Sequence, residues 1–399
     1  MVDPVVVVGA SLGGLSAVDA LRAGGHDGDV VVLEAADELP SDRPPLSKQV
    51  LAGTMEPAAA RQPLAARLEE LRADVRLGFR VESFDVATRR IRGADGTELQ
   101  ASGVVVATGA APRRLPGPEL AGVHVVRTMD DCLALKADLD RGPDRVVVVG
   151  AGFIGAEVAA TCRELGLEVT LLEGAPAPMV RVLPVEVGSF VADLHRSHGV
   201  DVRLGVGVDG LEADGDRVSG VRLADGTLVP AQVVVVGIGV VPSTDWLTDS
   251  GVPLGNGVTC DETCLAAPGV VAAGDVAEWL NPHFGERMRV EQWEHAIEQG
   301  AAAGRRLLAG DGPGEPFASV PWFWSDQYDR KLQMAGRPSA TDEVHVLEGS
   351  FAEQRFAVAF RRGDRCTGVL GVNRPRHVVQ ARMRLVESLD WAPIEELFS

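Results

Sequence analysis

Two stretches of the chain share one pattern of hydrophobic and polar positions. Each begins with a run of valines, Val5–Val8 and Val146–Val149, which ends in glycines and is followed by apolar residues at helical spacing. A second apolar run follows and ends on an acid, Glu34 in the first stretch and Glu173 in the second. Strand, helix and strand in this order predict two βαβ units and therefore an α/β fold with parallel sheets.

The remaining pattern predicts how the chain divides into domains. Apolar runs that begin at Val104 and Val233 each lead into a loop rich in glycine and proline, where a chain can pass from one domain to another. Beyond Gly310, short alternating runs such as Arg355–Asp364 predict an antiparallel sheet. We expect a nucleotide-binding domain that is interrupted by a second one and followed by a smaller α+β C-terminal domain, with the boundaries 1–110, 111–242, 243–319 and 320–399.

The charge of the chain restricts its partners. A formal net charge of −19 over 399 residues argues against nucleic acid and anionic membranes, because both would repel most of this surface. The segment 321–399 contains eleven basic and eleven acidic residues, so it repels an acidic partner least. The valine run near the N-terminus is too short to span a bilayer and follows no basic leader, so we expect neither a membrane segment nor a signal peptide.

The cysteines and histidines predict no additional redox or metal chemistry. Five cysteines are widely spaced without a C-x-x-C pair, which favours a reducing cytoplasm and no thiol relay. The eight histidines show no metal-binding spacing, so no metal site is predicted.

The second unit carries the pattern G-x-G-x-x-G at Gly150, Gly152 and Gly155, between a predicted strand and a predicted helix. Glycines here allow a tight turn and close approach of the backbone to a pyrophosphate, to which the helix N-terminus offers a partial positive charge. Glu173 follows eighteen residues later, where a carboxylate can accept hydrogen bonds from an adenosine ribose and repel a 2′-phosphate, so NADH is favoured over NADPH. The alternative is a solvated acid at the end of a strand, and the nearby Arg181 leaves the preference for NADH open.

The first unit departs from this pattern at one position. It contains Gly9, Gly13 and Gly14 but has Ser11 where the second glycine would stand, and a Cβ there would crowd a pyrophosphate unless the turn adjusts. The serine hydroxyl can compensate by donating a hydrogen bond to phosphate. Because Glu34 lies twenty residues beyond Gly14, we predict a second dinucleotide site; the alternative is a Rossmann unit that binds nothing.

Six short motifs occur in order along nearly the whole chain. Each is modest by itself, but the six in register resemble the NADH-dependent ferredoxin and rubredoxin reductases of oxygenase systems. The motifs are RPPLSK (43–48), ATGAAPR (107–113), GAGFIGAE (150–157), AAGDVA (272–277), EQWEHAIEQG (291–300) and PWFWSDQYDRKLQMAG (321–336).

The resemblance implies a glutathione-reductase-like fold with two Rossmann-type domains, FAD in the first site and NADH in the inserted one. One copy of the glycine turn then serves the electron acceptor and the other the electron donor. Asp275 would hold the ribityl chain and Trp293 would meet the flavin pyrimidine edge; a helix N-cap and a buried core tryptophan are the alternatives. The motifs and the resemblance together predict these cofactor-binding residues: Gly9, Ser11, Gly13, Gly14, Glu34, Arg43, Lys48, Val81, Thr108, Gly109, Arg127, Gly274, Asp275, Trp293, Gly150, Gly152, Gly155, Glu173 and Gly239.

The resemblance also implies that Lys48 and Glu157 come together beside flavin N5 as a catalytic pair. A lysine there would stabilise negative charge that develops on the reduced flavin, and the glutamate would hold it in place. Without the resemblance, the two residues would be interpreted as unrelated surface charges. His295 is interpreted as a structural hydrogen-bond donor, because hydride transfer from NADH to flavin needs no base.

The reaction that the resemblance implies is hydride transfer from NADH to FAD, followed by two single-electron transfers to a small acidic [2Fe–2S] ferredoxin that serves an oxygenase. Disulfide reductases of the same fold class carry redox cysteines in the first domain, whereas the first cysteine here is Cys132. The alternatives are a rubredoxin reductase and an NADH-responsive flavoprotein similar to apoptosis-inducing factor. We expect a cytoplasmic monomer or weak homodimer. Its partner would dock near the flavin on a locally basic surface, for which the candidates are Arg289, Arg305, Arg306, Arg330 and Lys331; the alternative is that these are ordinary solvated charges.

Overall fold

The computed structural model describes residues 3–397, so the predicted domain ends at residues 1 and 399 lie outside the described residues. The chain forms two compact units, each assembled from separate segments. The first unit contains residues 3–42, 61–111 and 241–321, and the second contains residues 43–60, 112–240 and 322–397. The four-part domain division made from the sequence stays a prediction.

A six-stranded sheet forms the centre of the first unit. Its central strands are valine runs in which every residue is buried, as is usual for parallel strands covered on both faces. Neighbouring strands are parallel except at one edge, where Leu265–Ala267 is antiparallel. The spatial order is Leu265–Ala267, Val270–Ala272, Gly103–Val106, Val5–Val8, Val30–Leu33 and Asp74–Arg76.

Helices and two small sheets complete the first unit. The helix Leu12–Ala23 connects Val5–Val8 with Val30–Leu33, which confirms the first predicted βαβ unit, and it packs against the helix Trp293–Leu308. The other elements are the sheet Val81–Asp85, Arg90–Gly93 and Glu98–Gln100, the sheet Leu254–Gly255, Gly257–Cys260, Ala277–Asn281 and Glu286–Met288, the helix Leu68–Leu71, and the 3₁₀ turns Pro63–Arg67, Asp245–Leu247 and Gly274–Val276.

The second unit contains a five-stranded parallel sheet. The helix Phe153–Glu164 connects Val146–Val149 with Val169–Glu173, which confirms the second predicted βαβ unit. The sheet order is Asp201–Leu204, Val169–Glu173, Val146–Val149, Val233–Val236 and Val123–His124. Around it lie the helices Met129–Leu139 and Val185–Ser197, the 3₁₀ turns Pro44–Ser47 and Pro57–Ala59, and the antiparallel sheet Val208–Asp214, Arg217–Leu223 and Leu228–Pro230.

The last part of the second unit is the predicted antiparallel sheet. Its aromatic residues Phe356 and Phe360 are fully buried and share a hydrophobic cluster with Phe190 of the helix Val185–Ser197. The strand order is Trp322–Gln327, Arg330–Gly336, Arg365–Val372, Arg355–Arg362 and Glu343–Ser350, followed in the chain by the helices Pro375–Glu387 and Ala392–Leu397.

The elements confirm the predicted fold class of two Rossmann-type units with a smaller C-terminal α+β part. Two short strands, Ala110–Pro112 and Val240–Pro242, lie where the chain passes from one unit to the other. Within residues 3–397, no helix has both the length and the apolar character needed to cross a membrane.

Candidate functional site

Close backbone packing requires glycine at two positions of the first glycine turn. Gly9 has φ +108°, and a Cβ on it would lie 2.3 Å from the carbonyl oxygen of Ala107 on the neighbouring strand. A Cβ on Gly14 would lie 1.9 Å from the carbonyl oxygen of Gly9. Both positions therefore require glycine so that strand, turn and helix can approach one another.

The second turn repeats this geometry. Gly150 has φ +97°, and a Cβ on it would lie 2.4 Å from the carbonyl oxygen of Gly237; a Cβ on Gly155 would lie 2.0 Å from the carbonyl oxygen of Gly150. Gly152 differs, because a Cβ there would have no neighbour closer than 4.0 Å. The middle glycine therefore borders open space at a helix N-terminus, where a pyrophosphate is expected to approach the backbone.

Ser11 occupies the position of the middle glycine in the first turn without changing the turn. Its φ and ψ are −89° and −168°, against −73° and −177° for Gly152. The turn therefore shows no adjustment, and the crowding of a pyrophosphate by the Ser11 Cβ stays a prediction. The Ser11 hydroxyl makes no capping hydrogen bond to its helix. A Cβ on Gly13 would meet Ala273 at an ordinary 3.5 Å, so that glycine is not required by packing.

The two acids at the strand ends are attached to the glycine turns in the same way. Each carboxylate accepts one hydrogen bond from the backbone N–H of the second residue of its own turn and another from the residue two positions after itself. The contacts are Ala10 N to Glu34 Oε2 (2.9 Å), Ala36 N to Glu34 Oε1 (3.1 Å), Ala151 N to Glu173 Oε2 (2.7 Å) and Ala175 N to Glu173 Oε1 (2.9 Å). Both acids are half-buried and fixed beside their turns, which favours a ribose-binding role over a solvated acid.

The turn that carries Asp275 is held from two sides within the first unit. Gly274 has φ +76°, and its N–H donates to Oε1 of Gln299 at 2.9 Å. Arg289 donates to the carbonyl oxygen of Asp275 at 3.0 Å and pairs with Glu291 at 2.6 Å. The Arg289 side chain is only 10% exposed, so its predicted place on an exposed basic surface is wrong.

Trp293 begins the helix Trp293–Leu308, and its indole N–H donates to Oδ1 of Asp42 at 2.7 Å. It is half-buried, whereas the fully buried tryptophan of this unit is Trp279. The alternative of a buried core tryptophan therefore describes Trp279 and does not describe Trp293.

Three further predicted residues lie in or next to strands of the first unit. Thr108 donates its hydroxyl to the carbonyl oxygen of Ser243 at 2.8 Å, and the carbonyl oxygen of Gly109, which has φ +68°, accepts from Ser243 N at 3.0 Å. Val81 begins the antiparallel strand Val81–Asp85 and is half-buried. Their roles toward a cofactor stay predictions.

Polar atoms on the helix Trp293–Leu308 and at its N-cap lack partners. Gln299 Nε2 and Gln292 Oε1 are buried without a hydrogen bond among the described residues. Buried polar groups are normally paired, so a bound molecule with amide and hydroxyl groups would complete them. Together with the first glycine turn and Glu34, these atoms make the residues of the first unit fit FAD, as Gly152 and Glu173 fit NADH.

His295, interpreted as a structural hydrogen-bond donor, lies on the same helix. Neither ring nitrogen has a hydrogen-bond partner among the described residues, and the ring packs against Trp279 and Phe317. Burial lowers the pKa of His295 to about 4, so the ring is neutral near pH 7. The prediction that it is structural rather than a base agrees with this environment, and the predicted donor role stays a prediction.

Lys48 and Glu157 form a buried ion pair in the second unit. Lys48 Nζ lies 3.0 Å from Glu157 Oε2, and the two side chains are 11% and 4% exposed. Glu157 lies on the helix that follows the second glycine turn, and Lys48 directly follows the 3₁₀ turn Pro44–Ser47. The interpretation of Lys48 and Glu157 as two unrelated surface charges is therefore wrong.

Hydrophobic packing brings the loop of Lys48 to this helix. Leu46, Val50 and Leu51 are fully buried in the same cluster as Val158 and Cys162 of the helix. The segment 43–60 consequently belongs to the second unit although residues on either side of it belong to the first. The apolar residues of this loop and of the helix, which are far apart in sequence, thus bring Lys48 to Glu157.

The remaining predicted residues also lie in the second unit. Arg43 precedes the turn Pro44–Ser47 and is half-buried. Arg127 donates its backbone N–H to Asp131 Oδ2 at 3.1 Å, and Gly239, with φ +96°, accepts from Arg113 N at 2.9 Å. Their cofactor contacts stay predictions.

The cysteines are unsuited to redox chemistry. All five lie within the described residues, and each is buried as a free thiol. Burial raises the pKa of Cys132 to about 11 and that of Cys162 to about 12, so the thiolate form is scarce near pH 7. Over residues 3–397 no group of His, Cys, Asp and Glu side chains could hold a metal ion.

Two residues of the Lys48 site were missed by sequence reasoning. Ser47 and Ser325 both donate their hydroxyls to the Glu157 carboxylate. Ser47 adjoins Lys48 inside the first motif, which was a usable signal. Nothing in the sequence indicates that Ser325, at a separation of 168 residues, reaches Glu157.

Two matched nucleotide-binding turns, together with a buried lysine–glutamate pair and inert thiols, define an oxidoreductase that uses two dinucleotides. The profile of the family described as pyridine nucleotide-disulphide oxidoreductase matches residues 3–300, and that described as reductase C-terminal matches residues 322–393. The chain belongs to the pyridine nucleotide-disulphide oxidoreductase family and is an oxidoreductase that uses FAD and NAD(H).

Relatives cover nearly the whole chain. The ferredoxin reductase subunit of 5,5′-dehydrodivanillate O-demethylase from Sphingobium sp. is 40% identical over 96% of this chain and 93% of its own length. The ferredoxin–NAD(+) reductase component of the anthranilate 1,2-dioxygenase system from Burkholderia cepacia is 39% identical over 95% and 93%. The solved covalent putidaredoxin reductase–putidaredoxin complex contains a chain that is 32% identical, with a TM-score of 0.91 over 99% of this chain and 98% of that chain.

Proposed function

We propose that this protein passes electrons from NADH, through FAD, one at a time to a small [2Fe–2S] ferredoxin that serves an oxygenase. The observation that carries the proposal is the pair of matched glycine turns in a chain whose relatives are ferredoxin reductase components of oxygenase systems. The buried thiols favour an external electron acceptor over a cysteine pair of this chain.

The residues of the two turns would hold the two cofactors. In the first unit, Ser11 and Glu34 would bind the phosphate and ribose of FAD, and Asp275 would bind its ribityl chain. FAD, when bound, supplies the conversion between a two-electron donor and a one-electron acceptor. In the second unit, Gly152 leaves room for the NADH pyrophosphate, and Glu173 would accept hydrogen bonds from its ribose.

Lys48 is the residue that we assign to the hydride step. Its ammonium group is oriented by Glu157 and largely shielded from water, so it can stabilise negative charge more strongly than an exposed lysine. Glu157 acts through Lys48 by fixing its position. No base is assigned, since His295 is neutral, buried and surrounded by aromatic rings.

Replacing Lys48 by alanine tests this assignment. We expect Lys48→Ala to slow flavin reduction by NADH in stopped-flow absorbance by about tenfold or more, while FAD stays bound. Lys136→Ala is the matched control, because Lys136 is a lysine of the same unit paired with a nearby carboxylate, that of Asp140, on the surface. A hydride-transfer rate that is the same in both variants would remove Lys48 from the mechanism.

The electron acceptor is proposed to be acidic, with rubredoxin as the alternative carrier. The segment 321–399 carries no net charge, whereas the whole chain has a formal net charge of −19, so this segment repels an acidic partner least. Arg330 pairs with Asp329 and Lys331 lies 3.5 Å from Asp326, so both cations are partly compensated. We further propose a cytoplasmic location and a monomeric or weakly dimeric state, as expected from the sequence.

The proposed function is tested by NADH-driven cytochrome c reduction at low salt, with and without an added [2Fe–2S] ferredoxin. Strong stimulation by ferredoxin is the expected result. Rubredoxin added in place of ferredoxin distinguishes the alternative carrier. Flavin that is bleached by NADH while neither carrier stimulates cytochrome c reduction would contradict the proposal.

A further inference from the structure

The carboxylate of Glu157 is held by more than its lysine. Oε2 accepts from Lys48 Nζ at 3.0 Å and from the Ser47 hydroxyl at 2.5 Å, and Oε1 accepts from the Ser325 hydroxyl at 2.8 Å. Ser47 is 1% exposed and Ser325 is fully buried. Three donors around a buried carboxylate leave it little freedom to rotate, because rotation would break at least one bond to a charged group.

The hydroxyl of Ser325 is itself fixed in direction. Gln327 Nε2 donates to Ser325 Oγ at 3.2 Å, so one lone pair of the hydroxyl oxygen is used and its proton is directed to Glu157. The strand Trp322–Gln327 that carries both residues is attached to the helix of Glu157 by an edge-to-face contact of Phe323 with Phe153, with ring centroids 4.4 Å apart. The serine therefore arrives at the carboxylate on a rigid element.

The Ser47 side is fixed in a similar way. Thr161, one helical turn beyond Glu157, donates its hydroxyl to the carbonyl oxygen of Ser47 at 2.8 Å. The turn that leads to Lys48 is thus tied to the helix at its backbone as well as through the lysine. Of the two carboxylate oxygens, only Oε1 depends on a residue from the C-terminal part of the chain.

We propose that Ser325 is a positioning residue for the lysine: by occupying Oε1 it holds the Glu157 carboxylate so that Oε2 faces Lys48. The antiparallel C-terminal sheet thereby contributes to the orientation of Lys48. For catalysis, this inference rests on the proposed function of Lys48; for geometry, it stands on the contacts alone.

The test measures the lysine directly as well as the reaction. Lys48 in the FAD-loaded protein is labelled by reductive dimethylation, and its labelling rate is read by peptide mass spectrometry relative to Lys136 in the same sample. In Ser325→Ala we expect relative labelling of Lys48 to rise about threefold to tenfold and hydride transfer from NADH to slow by a similar factor, the size expected for the net contribution of one hydrogen bond. Thr170→Val, which removes a buried hydroxyl elsewhere in the same unit, should change neither value.

Two further variants separate positioning from packing. Ser325→Thr retains the hydroxyl and should keep both values near those of the unaltered protein. Gln327→Met removes the donor that directs the Ser325 hydroxyl without touching Glu157, so it should shift both values in the same direction as Ser325→Ala and by less; it also serves if Ser325→Ala does not fold.

The outcomes distinguish the positioning role of Ser325 from the catalytic role of Lys48. Unchanged labelling of Lys48 in folded Ser325→Ala would overturn the positioning role of Ser325. The same rise in the labelling rate of Lys48 in Ser325→Ala and in Ser325→Thr would also overturn it. Faster labelling in Ser325→Ala with an unaltered hydride rate in both Ser325→Ala and Lys48→Ala would support the positioning role and contradict the proposed catalytic role of Lys48.

Discussion

The second glycine turn offers a prediction that separates packing from binding. In Gly155→Ala the new Cβ would lie 2.0 Å from the carbonyl oxygen of Gly150, and contacts of real Cβ atoms essentially never fall below 3.0 Å. The atoms must therefore separate by at least about 1 Å at a place where a strand end and a helix start are both fixed. Gly150 N donates to Leu172 at 2.8 Å and Gly237 N donates to Val149 at 2.7 Å, so this movement disturbs sheet hydrogen bonds.

The expected cost of Gly155→Ala is that of overpacking, about 1–3 kcal/mol of unfolding free energy. Gly152→Ser is the matched control, because its Cβ would enter open space and its φ of −73° suits any residue. Ser11 shows the same backbone at the equivalent position, and serine is a good helix N-cap. Gly152→Ser should therefore fold with undiminished stability.

Thermal unfolding followed by circular dichroism, in the presence of saturating FAD and without NADH, checks both expectations. A Tm lowered by several degrees in Gly155→Ala and unchanged in Gly152→Ser is the predicted pair. Equal Tm values in Gly155→Ala and the unaltered protein would refute the packing argument. A lowered Tm in Gly152→Ser would refute the conclusion that the middle position borders open space.

Two further predictions concern pH and cofactor choice. Burial holds the pKa of His295 at about 4, below its value of about 6.5 in an unfolded chain. The stability that the neutral, buried ring contributes is therefore fully present above pH 6.5 and is lost as the pH falls toward 4. The loss in unfolding free energy is on the order of 3 kcal/mol. His295→Leu should therefore show a smaller loss of Tm between pH 7.5 and pH 5, and an undiminished loss would contradict the sign. Glu173 should make kcat/KM higher for NADH than for NADPH, and Glu173→Ala should narrow that ratio by about tenfold, because the ribose loses its acceptor and a 2′-phosphate loses its repulsion; a ratio unaffected by the substitution would count against ribose binding.

The sequence was sufficient for features that depend on local pattern. Valine runs, glycine turns and the acids Glu34 and Glu173 follow one another within about thirty residues in a βαβ unit, so their arrangement follows from local rules. The alternation beyond Gly310 likewise predicted the antiparallel sheet. In these segments the hydrophobic period and the turn residues predict the same elements. A pattern can be interpreted when local signals and the overall fold agree in this way.

Features that depend on tertiary packing were beyond the reach of these rules. Ser325 contacts Glu157 from a strand that Phe323 attaches to the helix of Glu157, and no local period encodes that contact. His295 was interpreted as structural because hydride transfer needs no base, yet its surroundings of Trp279 and Phe317 could not be deduced from its helix alone.

The position of Glu157 explains why its carboxylate needs three donors. It lies in the second turn of a helix whose N-terminus, after Gly152, is the predicted site of an anionic pyrophosphate, so an unpaired carboxylate there would repel the ligand that the turn is predicted to receive. Burial raises that cost, since an ion that is removed from water must be paired and hydrogen-bonded. Lys48 supplies the opposite charge, and the hydroxyls of Ser47 and Ser325 satisfy the remaining acceptor sites without adding charge. One lysine and two serines therefore leave the pair electrically neutral, which allows the nicotinamide dinucleotide to bind beside a glutamate that orients Lys48.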